Sequence, residues 1–559
     1  MIGKISNIYT NVVEVKFNNI DEHKFHLDHI LTGHNKQSFL QIKRIIDKNT
    51  VLAIVIEARE NFKLGEEVVN TQRGLLVPIG DGAKNNVFDI RGVNLTKNPA
   101  RGELKYIEMN SIIKENKNLV VENRILETGI KVIDFFMPIL RGSKLGILGG
   151  AGVGKTVLMK EIIFNSSNNQ NNISPIFIGS GERSREGLEL YEELIQSNLM
   201  KNTTMFISQM NEAPGSRMNI VPFGITAAEY LRDYQKENVF LFIDNIYRFI
   251  QGANEVSASL GKKPSIGGYQ STLDTDVSFV EDRLYANKEG SITSFQTVFL
   301  PMDDLSDPAA VSIFAHLDAA LVLSRDKVAK NIYPAVDPLS SNSSSVNPMI
   351  IGERHFNAII EAKAILQKYK ELEDVILILG VDELDEESQI IVEKALQLQN
   401  FFTQRFFVAE TYTKEKGVFV SLNDTVDSVI EILQGKHVGK NPELFTFIGS
   451  LTKKDGNGGG SLAKPREFAA RKTSTMSLER MSNKTQSNLA FARATTRTGE
   501  FATSSSTSNT AEIKVQQTQE KNLSAASASN PNQNRYQGLI SRARAVTKKD
   551  ESESKTSKK

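Results

Sequence analysis

Lys144 to Leu148 read KLGIL, Gly149 to Thr156 read GGAGVGKT, and the amphipathic stretch Val157 to Phe164 follows directly. An apolar run, a glycine-rich turn and a helical pattern in that order predict a strand, a phosphate-binding loop and a helix. Gly149, Gly152 and Gly154 can take backbone conformations that side chains block, so successive N–H groups turn toward one point beside a helix N-terminus. A polyphosphate fits that point. Lys155 supplies a mobile positive charge for the terminal phosphates, and the Thr156 hydroxyl is placed to ligate the magnesium that travels with them.

Outward from this loop, short apolar runs alternate with helical patterns from about residue 76 to 350. The expected strands are Lys144 to Leu148, Ser174 to Ile178, Thr204 to Ser208, Val239 to Ile243, Ser294 to Phe299 and Ala320 to Leu323. That alternation predicts an α/β domain with a mainly parallel sheet. Residues 1 to about 75 carry the runs IYTNVVEVKF, SFLQIKRI and TVLAIVIEA, broken by Asn, Asp and Gly, which predicts a small antiparallel barrel or sandwich. From 351 to 454, HFNAIIEAKAILQKYKELED and ESQIIVEKALQLQNFF carry helical spacing and predict a helical domain. After Lys454, DGNGGGS opens a stretch poor in large apolar residues, and 455–559 is expected to be a disordered low-complexity tail.

The chain has 559 residues and no cysteine, which excludes disulfides, thiolate metal sites and thiol nucleophiles. No apolar run approaches the roughly 20 residues of a membrane span, and the N-terminus does not read as a signal peptide. A formal net charge of +1 conceals an asymmetry. Asp455 to Lys559 hold 18 Lys and Arg against 9 Asp and Glu, leaving 49 against 57 in the rest, so an acidic body carries a basic tail.

A triphosphate site needs a second strand carrying a carboxylate, and VFLFIDN ends its apolar run at Asp244. An acid at that strand end is placed to hold magnesium through water. GSGERSREGLELY, residues 179 to 191, lies between the two motifs. Glu182 is a candidate to orient the attacking water and equally an ordinary surface Glu, which spacing alone does not decide.

The ordered set GGAGVGKT, GERSREG, QMNEAPGSR, LFIDNIYRF, GYQSTLDTD, GSITSFQTVFLPMDDLSDPA, FAHLDA, IYPAVDPL and DELDEE resembles the catalytic beta subunit of the F-type rotary ATP synthases. The likeness covers roughly residues 1 to 435. It implies ATP or ADP bound with Mg2+ through Gly149, Gly150, Ala151, Gly152, Val153, Gly154, Lys155, Thr156 and Val157. It implies that Glu182 orients the water, that Arg183 and Arg248 contact the terminal phosphate, and that Lys155 completes the catalytic set. Thr156 becomes the direct metal ligand, Glu186 and Asp244 hold the metal's water shell, and Tyr333, Phe406 and Tyr412 flank the adenine. The resemblance also implies an alternating hexamer with non-catalytic alpha-like subunits and a gamma-like central shaft met by Asp382 to Glu387, DELDEE. It places the complex in the cytoplasm at the inner face of the cell membrane.

Four departures narrow the expectation. Phe299 stands where the family usually has Tyr, Ser344 replaces an Arg, the N-terminal strands and the last residues of the helical domain match poorly, and the basic tail is foreign to the common subunit. In that tail, NRYQGLISRARAV sets Tyr536, Leu539, Ile540 and Ala543 at helical spacing beside Arg535, Arg542 and Arg544, a pattern suited to an acidic or membrane surface. Its few aromatics offer little for base stacking, so no nucleic-acid partner is expected. The favoured reading is an F-type-like paralogue whose headpiece drives a membrane-associated machine. An ordinary synthase subunit, a non-catalytic nucleotide-binding subunit and a secretion-type or nucleic-acid-translocating hexamer are the alternatives.

Overall fold

A computed structural model describes residues 2–451 apart from 18–24, 34–37, 59–61, 97–101, 114–118, 121–123, 151, 170–172, 266 and 300–305. The expectations for Ala151 and for the tail from residue 455 lie outside the described residues.

Six strands open the chain: β1 (Ile2–Ile8), β2 (Val12–Phe17), β3 (Ile30–Gly33), β4 (Ser38–Ile45), β5 (Thr50–Ala58) and β6 (Glu67–Asn70). They close into an antiparallel barrel in the order β1-β2-β5-β4-β3-β6, with β6 pairing back onto β1. The two-residue period of a strand sends Val13, Val15 and Phe17 of β2 to one side, where they meet Leu40, Ile42, Val51, Ala53 and Val68 in the barrel core. Alternation in the sequence therefore pointed to the right architecture.

Short strands follow: β7 (Leu76–Ile79), β8 (Val87–Phe88), β9 (Lys105–Glu108), β10 (Ile125–Leu126) and, after helix α1 (Lys131–Phe136), β11 (Ile139–Leu140). The central sheet is built from β12 (Lys144–Leu148), β13 (Ile173–Glu182), β14 (Thr204–Gln209), β15 (Asn238–Asp244), β16 (Ser291–Val298), β17 (Ala319–Val322) and β18 (Asn342–Ser343). Its order is β18-β17-β12-β16-β15-β13-β14-β8, parallel throughout except at the β18 edge. The central strands are buried along almost their whole length because helices cover both faces, which is why VFLFI is continuous rather than alternating. The covering helices include α2 (Lys155–Asn169), α3 (Ser184–Gln196), α4 (Pro214–Asp233), α5 (Ile246–Ser259), α6 (Leu273–Glu281) and α7 (Pro308–Phe314).

After α8 (Arg325–Ala329) and α9 (Pro348–Ile351), the chain becomes helical: α10 (Glu353–Leu379), α11 (Glu386–Phe401), α12 (Glu410–Thr413) and α13 (Leu422–Leu433). Ala358, Ile359, Ala362 and Leu366 of α10 meet Ala395, Leu398 and Phe401 of α11 and Val426, Val429 and Ile432 of α13. These stripes join Phe135 and Phe136 of α1 in one core, so the helical part is packed onto the nucleotide part. Between α10 and α11, Asp382, Glu383, Asp385, Glu386 and Glu387 are all exposed, as five crowded carboxylates require.

Candidate functional site

The loop between β12 and α2 has the backbone that its glycines allow: φ is 149° at Gly149, 80° at Gly152 and 94° at Gly154. Added Cβ atoms at Gly152 and Gly154 would meet nothing within 4 Å, so these glycines serve backbone conformation rather than packing. Val153 points the other way and is buried in the core, which fastens the loop from behind. Lys155 Nζ donates to the Gly149 carbonyl at 2.8 Å and stands 5.1 Å from the centre of the Phe299 ring. Thr156 and Val157 open α2 on its exposed side.

Neighbouring strand ends supply the acids. β13 pairs with both β14 and β15, and an irregularity between Ser180 and Glu182, with Gly181 at φ 66°, turns Glu182 out at the strand's last position. Asp244 ends β15, and Thr297 Oγ1 of β16 donates to its Oδ1 at 2.5 Å. A cavity of about 300 Å³ is lined by Gly152, Lys155, Thr156, Gly181, Glu182, Arg183, Glu186, Asp244, Asn245, Arg248 and Phe299, among others. Every expected catalytic residue and every expected metal-side residue borders this one space.

Its acids are crowded together. Burial, the Asp244 charge and the Glu186 carboxyl together push the Glu182 carboxyl well above the ordinary carboxylate range. Burial also raises Asp244, against the pull of the Thr297 hydrogen bond and the Lys155 charge. Arg183 is exposed and reaches Glu186 at 3.6 Å, while Arg248 Nη1 donates to Gln251 Oε1 at 3.3 Å. Among the described residues no set of three His, Cys, Asp or Glu forms a ready-made metal cluster. A hydroxyl, crowded carboxylate oxygens and an open polyphosphate cradle instead suit a hard cation that arrives with its nucleotide and keeps several waters.

Tyr333, Phe406 and Tyr412 lie outside the lining of that cavity. Tyr333 is 42% and Tyr412 75% exposed, whereas Phe406 is half-buried against the shared core. Two polar groups were not foreseen. Thr297 gives no signal in sequence, because it contributes only through its position beside Asp244. Glu161, inside α2, accepts from the backbone N–H of Phe407 and Val408, each at 3.1 Å.

The nucleotide-binding domain of the ATP synthase alpha/beta family matches residues 129–343, and the C-terminal domain of V and A type ATP synthase matches residues 346–436. ATP synthase subunit beta 2 of Mycoplasmopsis pulmonis (strain UAB CTIP) is 46% identical over 457 residues, which is 81% of this chain and 97% of that protein. The chain belongs to the rotary ATP synthase alpha/beta family. Within it, this is a catalytic beta-type subunit, an ATP-hydrolysing or ATP-synthesising enzyme with a nucleotide-binding core. The two domain matches carry different subtype labels, and what they share is the rotary ATPase family. No helix among the described residues of this beta-type subunit is long and apolar enough to cross a membrane.

Proposed function

We propose that this beta-type subunit hydrolyses ATP in an F-type-like headpiece, alternating with alpha-like subunits around a gamma-like shaft and driving a membrane-associated machine at the inner face of the cell membrane. The observation that carries the reading is the convergence of the phosphate loop, Glu182, Asp244, Arg183 and Arg248 on one cavity.

In this reading the loop N–H groups and Lys155 hold the β- and γ-phosphates, for which Lys155 exchanges the Gly149 carbonyl. Mg2+, held by Thr156 and through water by Glu186 and Asp244, would neutralise phosphate charge. Glu182 aligns a water with the γ-phosphorus and takes its proton as the new P–O bond forms and the bond to the β-phosphate oxygen breaks. A raised Glu182 suits this only once positive charge enters the cavity and draws its proton off, so hydrolysis is tied to a filled site. Arg183 and Arg248 face the charge that develops on the γ-phosphoryl oxygens. Phe299 leaves that wall without a hydroxyl, and Tyr333, Phe406 and Tyr412 provide the faces for the base.

A paralogue rather than the standard synthase subunit is favoured by the basic tail and by Phe299 and Ser344, and the relative is itself numbered beta 2. The test is to isolate the native complex through a tag on this chain and assay magnesium-dependent ATP hydrolysis. Co-purification of an alpha-like subunit with membrane proteins other than a proton channel is the expected result. Recovery of channel and peripheral-stalk subunits would make it an ordinary synthase, and full-speed turnover by the chain alone would defeat the shared-site reading.

A further inference from the structure

Glu161 is fully buried in the middle of α2, the helix whose first turn carries Lys155 and Thr156. It has no ion-pair partner among the described contacts. Its two oxygens are used separately: Oε1 accepts from Phe407 N and Oε2 from Val408 N, each at 3.1 Å. Phe164, three positions further along α2, stacks on Phe407 with ring centres 5.0 Å apart and planes at 23°.

Phe407 and Val408 begin a short helical turn, Phe407–Ala409, that lies between Phe406 and Tyr412. The segment is a closed loop. Val418 N donates to Arg405 O at 3.1 Å, Arg405 pairs with Glu415 at 2.7 Å, and Gly417 N donates to Glu410 Oε1 at 2.7 Å. At its base, Gln404 Nε2 donates to Gly129 O and Val418 O, each at 2.7 Å, and Gln404 N donates to Tyr333 O at 2.9 Å. The loop is thus closed on itself and tied at its base to Gly129 and Tyr333, and the Glu161 carboxyl with Phe164 fixes its aromatic end to the phosphate-binding helix.

We propose that Glu161 is a positioning residue for the base half of the nucleotide site, a two-pronged strap that sets Phe406 and Tyr412 at a fixed distance from the phosphate loop. A rigid helix with the phosphate grip at its start and the base wall strapped to its middle measures the length of a nucleoside triphosphate. The strap therefore serves ligands that have a base and is idle for a polyphosphate without one. This rests on the reading that Phe406 and Tyr412 face the base.

The experiment measures dissociation constants of ATP and of inorganic tripolyphosphate, both with magnesium, on the full-length chain and on Glu161→Ala, Glu161→Gln and Phe406→Ala. Loss of both backbone bonds in Glu161→Ala is expected to weaken ATP about tenfold and leave tripolyphosphate within about twofold. Glu161→Gln keeps one acceptor and turns an amide N–H₂ toward the second backbone N–H, so a smaller loss for ATP alone is expected. Equal weakening of both ligands, or of neither while Phe406→Ala weakens ATP, overturns the strap. ATP binding unchanged in Phe406→Ala overturns the base-wall reading instead, and the strap falls with it. Should Glu161→Ala not fold, the Glu161→Gln ratio of the two ligands decides alone.

Discussion

Arg283, just past α6, is held by Glu229 of α4 through bonds of 3.0 and 2.6 Å, and it donates two further bonds to Thr226 and Asn110. Close by, Arg232 is gripped by Asp233 and lies 4.1 Å from the Tyr285 ring centre. At strand ends of the central sheet, Glu182 and Asp244 are half-buried and crowd each other and Glu186, while the cations bordering the same cavity are engaged with other groups: Lys155 with the Gly149 carbonyl, Arg183 with Glu186 and Arg248 with Gln251. Where charge is structural, its partners are built in. Where chemistry is done, the acids are set beside one another instead of each against its own cation, and the cost of crowded carboxylates becomes affinity for what relieves it.

Four substitutions probe this contrast. Glu182→Gln removes the proton acceptor and keeps the shape, so hydrolysis should fall by about 10²- to 10⁴-fold while ATP still binds; steady-state turnover beside a binding titration checks both. Retained turnover would remove Glu182 from its role. Arg283→Ala leaves Glu229 buried without its cation and should cost about 3–5 kcal/mol, read as a drop in unfolding temperature. Asp244→Asn relieves crowding, so the nucleotide-free chain should be at least as stable as the parent, whereas magnesium-dependent ATP binding should weaken by about 10- to 100-fold. A nucleotide-free Asp244→Asn that melts far below the parent would mean that this acid is structural after all.

Glu281 gives the finest test, because it is a buried acid outside the lining of the nucleotide cavity. Gln296 donates to it at 3.0 Å, and burial pushes its carboxyl up to about 7 from 4.5. The folded chain then holds this proton more tightly than the unfolded chain. Its contribution is most favourable below 4.5 and declines as pH climbs to about 7. Melting the parent and Glu281→Gln at pH 5 and pH 7 should show the parent losing ground, by no more than about 1.4 kcal/mol per pH unit for one proton. A gap that does not change with pH would mean Glu281 is charged throughout.

Features set by local chemistry were legible before the structure. The phosphate loop and the Asp244 strand end each need a short run of specific residues, and the structure brings both to one cavity. Features set by pairing were less so. The strand expected over Ser174 to Ile178 runs further in the structure, where bonding to β14 and β15 carries β13 on to Glu182. The helical pattern ending at Asp374 continues through Val375 to Leu379, where Leu377 and Ile378 are exposed, so periodicity of burial could not mark the last turn. Edge strands of two residues, β8 and β18, carry no pattern at all. Glu161 is invisible for another reason: nothing in VLMKEII distinguishes an acid that will strap residues some 250 positions later from one that faces water.

The closed barrel has a further meaning. A sheet that returns β6 to β1 leaves no edge strand among the described residues, so a neighbour engages it mainly through side chains. Surfaces of that kind are rewritten one residue at a time without disturbing the ladder beneath. The N-terminal strands, which lie outside both matched domains, can in this way change the side chains they offer a neighbour while the catalytic sheet stays as it is.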